Sequence, residues 1–196
     1  MFTNIYLKSS LKTILNKSRP LISVVYDNPN SEIASACLQL SSLVRAHDVS
    51  GQGKNLYDAL IDALHIKLKK GLFSCFFNKK ILKMIEPPTS YLLLGNIVID
   101  ESVKISNLVL PPSFKTTSSA SWFNKHKKIL SDNTKIICLY DSDIAKYLEK
   151  RNFYGLVTYG KNKKASVSYE DAGEFKNGYR WKLLIDGKTL PISLNG

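Results

Sequence analysis

Apolar and polar positions change their spacing several times along the chain. After Pro20 the run LISVVYD is apolar and β-rich, and DNPN is turn chemistry, so a strand closing near Asp27 is predicted. SEIASACLQLSSLVRA moves to a spacing of three and four, with Ser31 placed to cap a helix. A second helical stretch, NLYDALIDALHIKLKK, puts Leu56, Ala59, Leu60, Ala63 and Leu64 on one face, and Gly71 ends it. LFSCFFNKKILKMI fits either period and stops at EPP. SYLLLGNIVIDES holds two short β-rich runs around Gly95, and ISNLVL adds a strand that stops at PPS.

The C-terminal part is plainer. SWFNKHKKIL predicts a helix, TKIICLYD a buried strand, SDIAKYLEKRN a helix capped by Ser142 or Asp143, and YGLVTYG another strand. Strand, helix, strand in that order is a βαβ unit and favours a parallel sheet. ASVSYED, YRWKLLID and KTLPISL follow, separated by NG and DG, which are hairpin dipeptides. The expected fold is α/β: a mostly parallel sheet with flanking helices, ending in an antiparallel hairpin region.

This organisation gives four segments. Residues 1–20 form a basic amphipathic arm, 21–110 a first α/β part, 111–120 a loop or hinge, and 121–196 the βαβ unit with the antiparallel strands. In the arm, Phe2, Ile5, Leu7, Leu11, Ile14 and Leu15 line one face and Lys8, Lys12 and Lys17 the other. That pattern suits a first helix packed on the domain, an organelle presequence, or a helix lying on a membrane or RNA surface.

Charge adds a constraint. The chain has 28 Lys plus Arg against 16 Asp plus Glu in 196 residues, a net charge of +12. Such a field attracts polyanions. Nearly all of it is lysine, however, whereas base reading and bidentate phosphate clamping favour arginine. Cys37, Cys75 and Cys138 have neither zinc-ligand spacing nor a CxxC pair, which fits free thiols in a reducing compartment. No apolar run approaches the roughly 20 residues of a membrane span. A cytoplasmic location is expected, with an organelle matrix as the alternative.

The candidate chemistry begins at SGQGKN. Gly51, Gly53 and Lys54 carry part of the GxxxxGK[ST] phosphate loop, in which glycines let backbone amides reach the phosphates and lysine reaches the outer ones. Asn55 stands where the magnesium-binding hydroxyl belongs. Read without context, the stretch is a glycine turn entering a helix rather than a working phosphate loop. Asp100 and Glu101 follow a predicted strand at the kind of edge where α/β sheets bind ligands and metals, and Asp141 and Asp143 repeat the situation one strand later. His47, His65 and His126 have no nucleophile at a recognisable spacing and receive no role.

Taken in order, the GxGK loop, the acidic strand end, YDSD, VTYG, AxVxxED and the hairpin closing in LPISLNG resemble the central domain of the Mur ligases. The likeness is densest over Ile136 to Gly196. It implies an ATP-dependent ligase joining an amine to the carboxylate of a UDP-linked cell-wall precursor. On that resemblance Gly51, Gly53, Lys54, Asn55, Asp141 and Asp143 would contact ATP, Lys54 would act catalytically, and Glu101 would hold Mg2+. Asn55 in place of threonine, a missing strand before the loop and an absent Asp-His motif imply a fragmentary or degenerate relative, inactive alone. The rival reading is a non-enzymatic basic RNA-binding protein, such as a ribosomal or organellar assembly component. Lysine clusters beside aromatics, as in FFNKK and WFNKHKK, would carry it.

Overall fold

The structure is a computed structural model that describes residues 11–13, 15, 19–28, 31–43, 45–64, 80, 88–95, 97, 103–175 and 178–195. Nine strands among them form one sheet. In chain order the elements are β1 (Leu21–Val25), α1 (Glu32–Leu43), β2 (Val49–Gln52), α2 (Leu56–Ala63), β3 (Ser90–Leu94) and β4 (Ile105–Val109). Then come α3 (Ser119–His126), β5 (Leu130–Leu139), α4 (Asp143–Lys150), β6 (Leu156–Gly160), β7 (Val167–Phe175), β8 (Gly178–Ile185) and β9 (Lys188–Asn195). The sheet order is β2-β3-β1-β4-β5-β6-β7-β8-β9. Pairing is parallel from β2 through β7 and antiparallel across β7, β8 and β9.

The central strands are apolar at nearly every position because both of their faces are covered. Alternation along β1 sends Ile22 and Val24 to one face and Ser23 and Val25 to the other. Val25 packs with Leu92, Leu94 and Ala34 of α1. Ile22 and Val24 belong to the larger core, which includes Leu56 and Leu60 of α2, Trp122 of α3, and Ile144 and Leu148 of α4. Leu11 and Leu15 are also buried, Leu15 within this larger core, so that part of the N-terminal segment packs on the domain. The rest of the expected arm lies largely outside the described residues.

The helix starts use the expected chemistry. Ala34 N donates to the Ser31 hydroxyl at 3.1 Å, and Ala145 N to that of Ser142 at 3.2 Å. One strand departs from expectation. Val49–Gln52, read from sequence as the lead-in to a loop, is β2, paired with β3 from Val49↔Tyr91 to Gln52↔Leu94. A four-residue stretch with glycine and two polar residues has no strand signal of its own, and its conformation comes from the β3 ladder beside it. LFSCFFNKKILKMI, apart from Lys80, lies outside the described residues, as does most of GNIVIDES.

Between β4 and β5 the register shifts: Ile105 pairs with Leu130 but Asn107 with Lys135. The extra residues of β5 form a bulge, fixed by the fully buried Thr134. Its hydroxyl donates to Ile105 O at 2.6 Å and accepts from Ser131 N at 2.8 Å.

Candidate functional site

Seven strands, β1 to β7, point their carboxyl ends at one edge of the sheet, and several of the residues just beyond them are stitched together by backbone bonds. Gly53 N donates to Leu94 O at 3.3 Å, Gly95 N to Val25 O at 3.1 Å, Tyr26 N to Val109 O at 2.9 Å and Leu110 N to Ile137 O at 2.8 Å. The Tyr159 hydroxyl adds a bond to Leu110 O at 3.1 Å. Burial, with smaller effects from Cys138, Cys37 and Tyr169, pushes its pKa up to about 12, so it stays a donor at any physiological pH.

Strand order locates the crevice on this edge. From β1 the chain leaves toward β2 on one side, and from neighbouring β4 it leaves toward β5 on the other. Ligands of open α/β sheets bind beyond the strand ends where the direction reverses, which here is between the ends of β1 and β4. The residues there are Tyr26, Asp27, Asn28 and Ser31 on one side, and Leu110 to Phe114 on the other.

The first turn is closed by its own carboxylate. Asp27 Oδ1 accepts from Asn28 N at 2.8 Å, and Oδ2 accepts from the Ser31 hydroxyl at 2.7 Å, the same hydroxyl that caps α1. A helix N-terminus favours an anion. In this protein the anion beside it belongs to the chain. The turn sequence YDNPNS contains no glycine to let a phosphate approach and no lysine to neutralise it.

The opposite wall is aromatic. Tyr26 meets Phe114 edge-on with centroids 5.7 Å apart, Phe114 meets Trp122 at 5.6 Å, and Trp122 stacks on His126 at 4.6 Å. His126 Nδ1 donates to Trp122 O at 2.7 Å. Burial lowers the His126 pKa, nearby Lys125 lowers it further, and the carbonyl bond opposes both. The sequence carried one signal of this group, the i, i+4 spacing of Trp122 and His126 on a helix.

The expected site residues fall elsewhere. Gly51 lies within β2, where a Cβ would stand 2.1 Å from Ala59 O and 2.5 Å from Ala63 N; at Gly53 it would stand 2.5 Å from Ala59 N. Both glycines are thus required for α2 to lie directly on β2. Lys54 is exposed on the carboxyl edge. Asn55 caps α2, its Oδ1 accepting from Tyr57 N at 3.1 Å and Asp58 N at 3.0 Å, while its amide donates to the Asp58 carboxylate.

Asp141 is exposed after β5, and Asp143 opens α4. Four strand spacings separate β2 from β5, about 19 Å, so Lys54 and Asp141 share an edge without meeting. Asp100 and Glu101 lie outside the described residues. Among those described, no three His, Cys, Asp or Glu side chains are grouped to hold a metal ion, and no helix is long and apolar enough to cross a membrane. The end of β3 is Leu92, Leu93 and Leu94, which offers magnesium no oxygen ligand from a side chain. The Lys67–Lys70 run and most of Lys79–Lys83 also lie outside the described residues.

Solved structures with the same arrangement identify the architecture. The crystal structure of MurF ligase from Thermotoga maritima in complex with ADP matches 100% of this chain and 45% of its own, with a TM-score of 0.51 and 12% identity. MurF from Acinetobacter baumannii matches 95% of this chain and 40% of its own, at 0.54 and 8%. This is the Mur ligase fold. A UDP-N-acetylmuramoyl-L-alanyl-D-glutamate–2,6-diaminopimelate ligase shares it at 0.51 and 14%, over 92% of this chain and 41% of its own. At such identities the likeness is one of fold. The chain spans less than half the length of each of these ligases. No family model matches the sequence, and no curated protein matches it.

Proposed function

We propose that the chain is a Mur-ligase-type central domain, from the lineage of ATP-dependent ligases of UDP-linked cell-wall precursors, that does not transfer phosphate by itself. The lineage rests on the fold, with its switch point between β1 and β4 and its antiparallel close. The absence of independent phosphoryl transfer rests on one observation. At the switch point, where open α/β sheets bind their ligands, Asp27 stands beside the start of α1 in a turn without glycine or lysine. A triphosphate brought there would meet a carboxylate in a turn that supplies no lysine to offset the repulsion. The turn residues do not cradle a triphosphate, so no catalytic step is assigned to that position.

A second reading keeps catalysis and moves the phosphates to Lys54, with Gly51, Gly53, Asn55, Asp141, Asp143 and Glu101 around them. It is favoured by the position of Lys54 on the same carboxyl edge. ATP binding measured by calorimetry with and without Mg2+, on the chain and on Lys54→Ala, separates the two. The first reading expects no saturable heat up to millimolar ATP in either protein. Magnesium-dependent binding lost in Lys54→Ala would overturn it and establish the second.

A further inference from the structure

At the opposite, amino-terminal edge of the sheet, the starts of β1, β4 and β5 frame a cavity of about 440 Å3, within the usual range for small-molecule sites. The bulge held by Thr134 lies just beyond the Ile105–Leu130 pair, and its first residue, Ser131, joins the lining. The floor is apolar, formed by Leu15, Ile22 and Ile105, each at most 5% exposed. Arg19, Lys104 and Ser106 form the rim.

The rim offers donors and positive charge. The Arg19 guanidinium makes no ion pair or hydrogen bond among the described residues. Lys104 Nζ donates one hydrogen bond to Lys128 O, which leaves its charge and two further N–H donors. The Ser106 hydroxyl accepts from Ile22 N at 3.3 Å, which leaves its own proton available. A guanidinium fork matches a carboxylate through two parallel bonds, and here it stands above a greasy floor. The geometry points to a binding site for a small organic carboxylate with an apolar body: the head on Arg19 and Lys104, the tail on Leu15, Ile22 and Ile105. β1 runs away from this cavity, so the site is a full strand length from the β1–β4 crevice and independent of any nucleotide chemistry there.

The test uses three probes on the whole chain, followed by amide chemical shifts: hexanoate, acetate without the tail, and hexanol without the charge. Arg19 has a φ of +43°, so Arg19→Gly removes the guanidinium without straining the backbone. Hexanoate is expected to saturate with shifts at the starts of β1 and β4, and acetate and hexanol to bind at least tenfold more weakly. Arg19→Gly should weaken hexanoate at least tenfold and Lys104→Gln severalfold, both with wild-type spectral dispersion. No saturation with hexanoate, equal binding of hexanol, or unchanged binding in a folded Arg19→Gly protein would each overturn the assignment.

Discussion

Replacing Gly51 with alanine asks whether the glycines of SGQGKN serve phosphate or packing. The added methyl would lie 2.1 Å from Ala59 O, 2.5 Å from Ala63 N and 2.7 Å from Ala63 Cβ. Two of these are backbone atoms, so no rotamer change relieves the contact. To reach ordinary van der Waals distance α2 must retreat by about 1.3 Å, and its buried Leu56, Ala59, Leu60 and Ala63 must move with it. Overpacking of this kind costs about 3 kcal/mol, the upper end of the usual range. Alanine returns up to about 1 kcal/mol by restricting the unfolded chain. The net expectation is a loss of about 2 kcal/mol, read as a fall of about 4–8 °C in the thermal midpoint by circular dichroism. Lys54→Ala, at an exposed position, should stay within about 0.5 kcal/mol of the parent protein. A Gly51→Ala protein as stable as the parent would refute the packing account and return the glycine to the loop reading.

Two further effects should be measurable. Thr134→Val keeps the shape but leaves Ile105 O and Ser131 N without their partner at the bulge, and should cost about 1–3 kcal/mol in urea unfolding; a change below about 0.5 kcal/mol would show that water or a shifted strand replaces those bonds. Stability should also fall as pH drops from about 6.5 toward 5, because His126 and His47 both have folded pKa values lowered mainly by burial. In that window the unfolded chain binds more protons, so ΔG of unfolding rises with pH. Urea midpoints at intervals of half a pH unit should show the slope, reduced in His126→Gln. An unchanged slope in that variant would remove His126 from the explanation.

The sequence made some parts of the fold readable for a physical reason. The second half of β5, α4 and β6 carry unmixed periods bounded by turn chemistry, and NG and DG mark the two hairpins of β7 to β9, so local signals sufficed there. Leu130, read as the end of a helix, instead starts β5 through its pairing with Ile105. β2 was unreadable because Val49–Gln52 is a strand only by virtue of β3, which lies some forty residues away along the chain. Asn55 caps an apolar helix, but its neighbours Gly53 and Lys54 drew the sequence reading toward phosphate. The crevice was hidden for a different reason. Which strand ends adjoin depends on strand order, and neither hydrophobic period nor residue spacing encodes that Asp27 and Phe114 face one another's strands.

The strand order also sets a schedule for assembly. β1 lies inside the sheet, third of its nine strands, and both of its neighbours come much later in the chain: Leu21 pairs with Ser90, and the Ser23 hydroxyl meets Asn107 across a separation of 84 residues. Closing loops of that length brings no reward until both ends meet, which makes such pairing slow. The strands from β5 to β9 have no such wait, since each pairs with the one before it. The C-terminal half is therefore the expected nucleus, and the β2-β3-β1-β4 end of the sheet is the last part to be completed. Until then β1 exposes a run of apolar residues with two open edges, so the interval before β3 and β4 arrive is when this protein is most open to association with other chains.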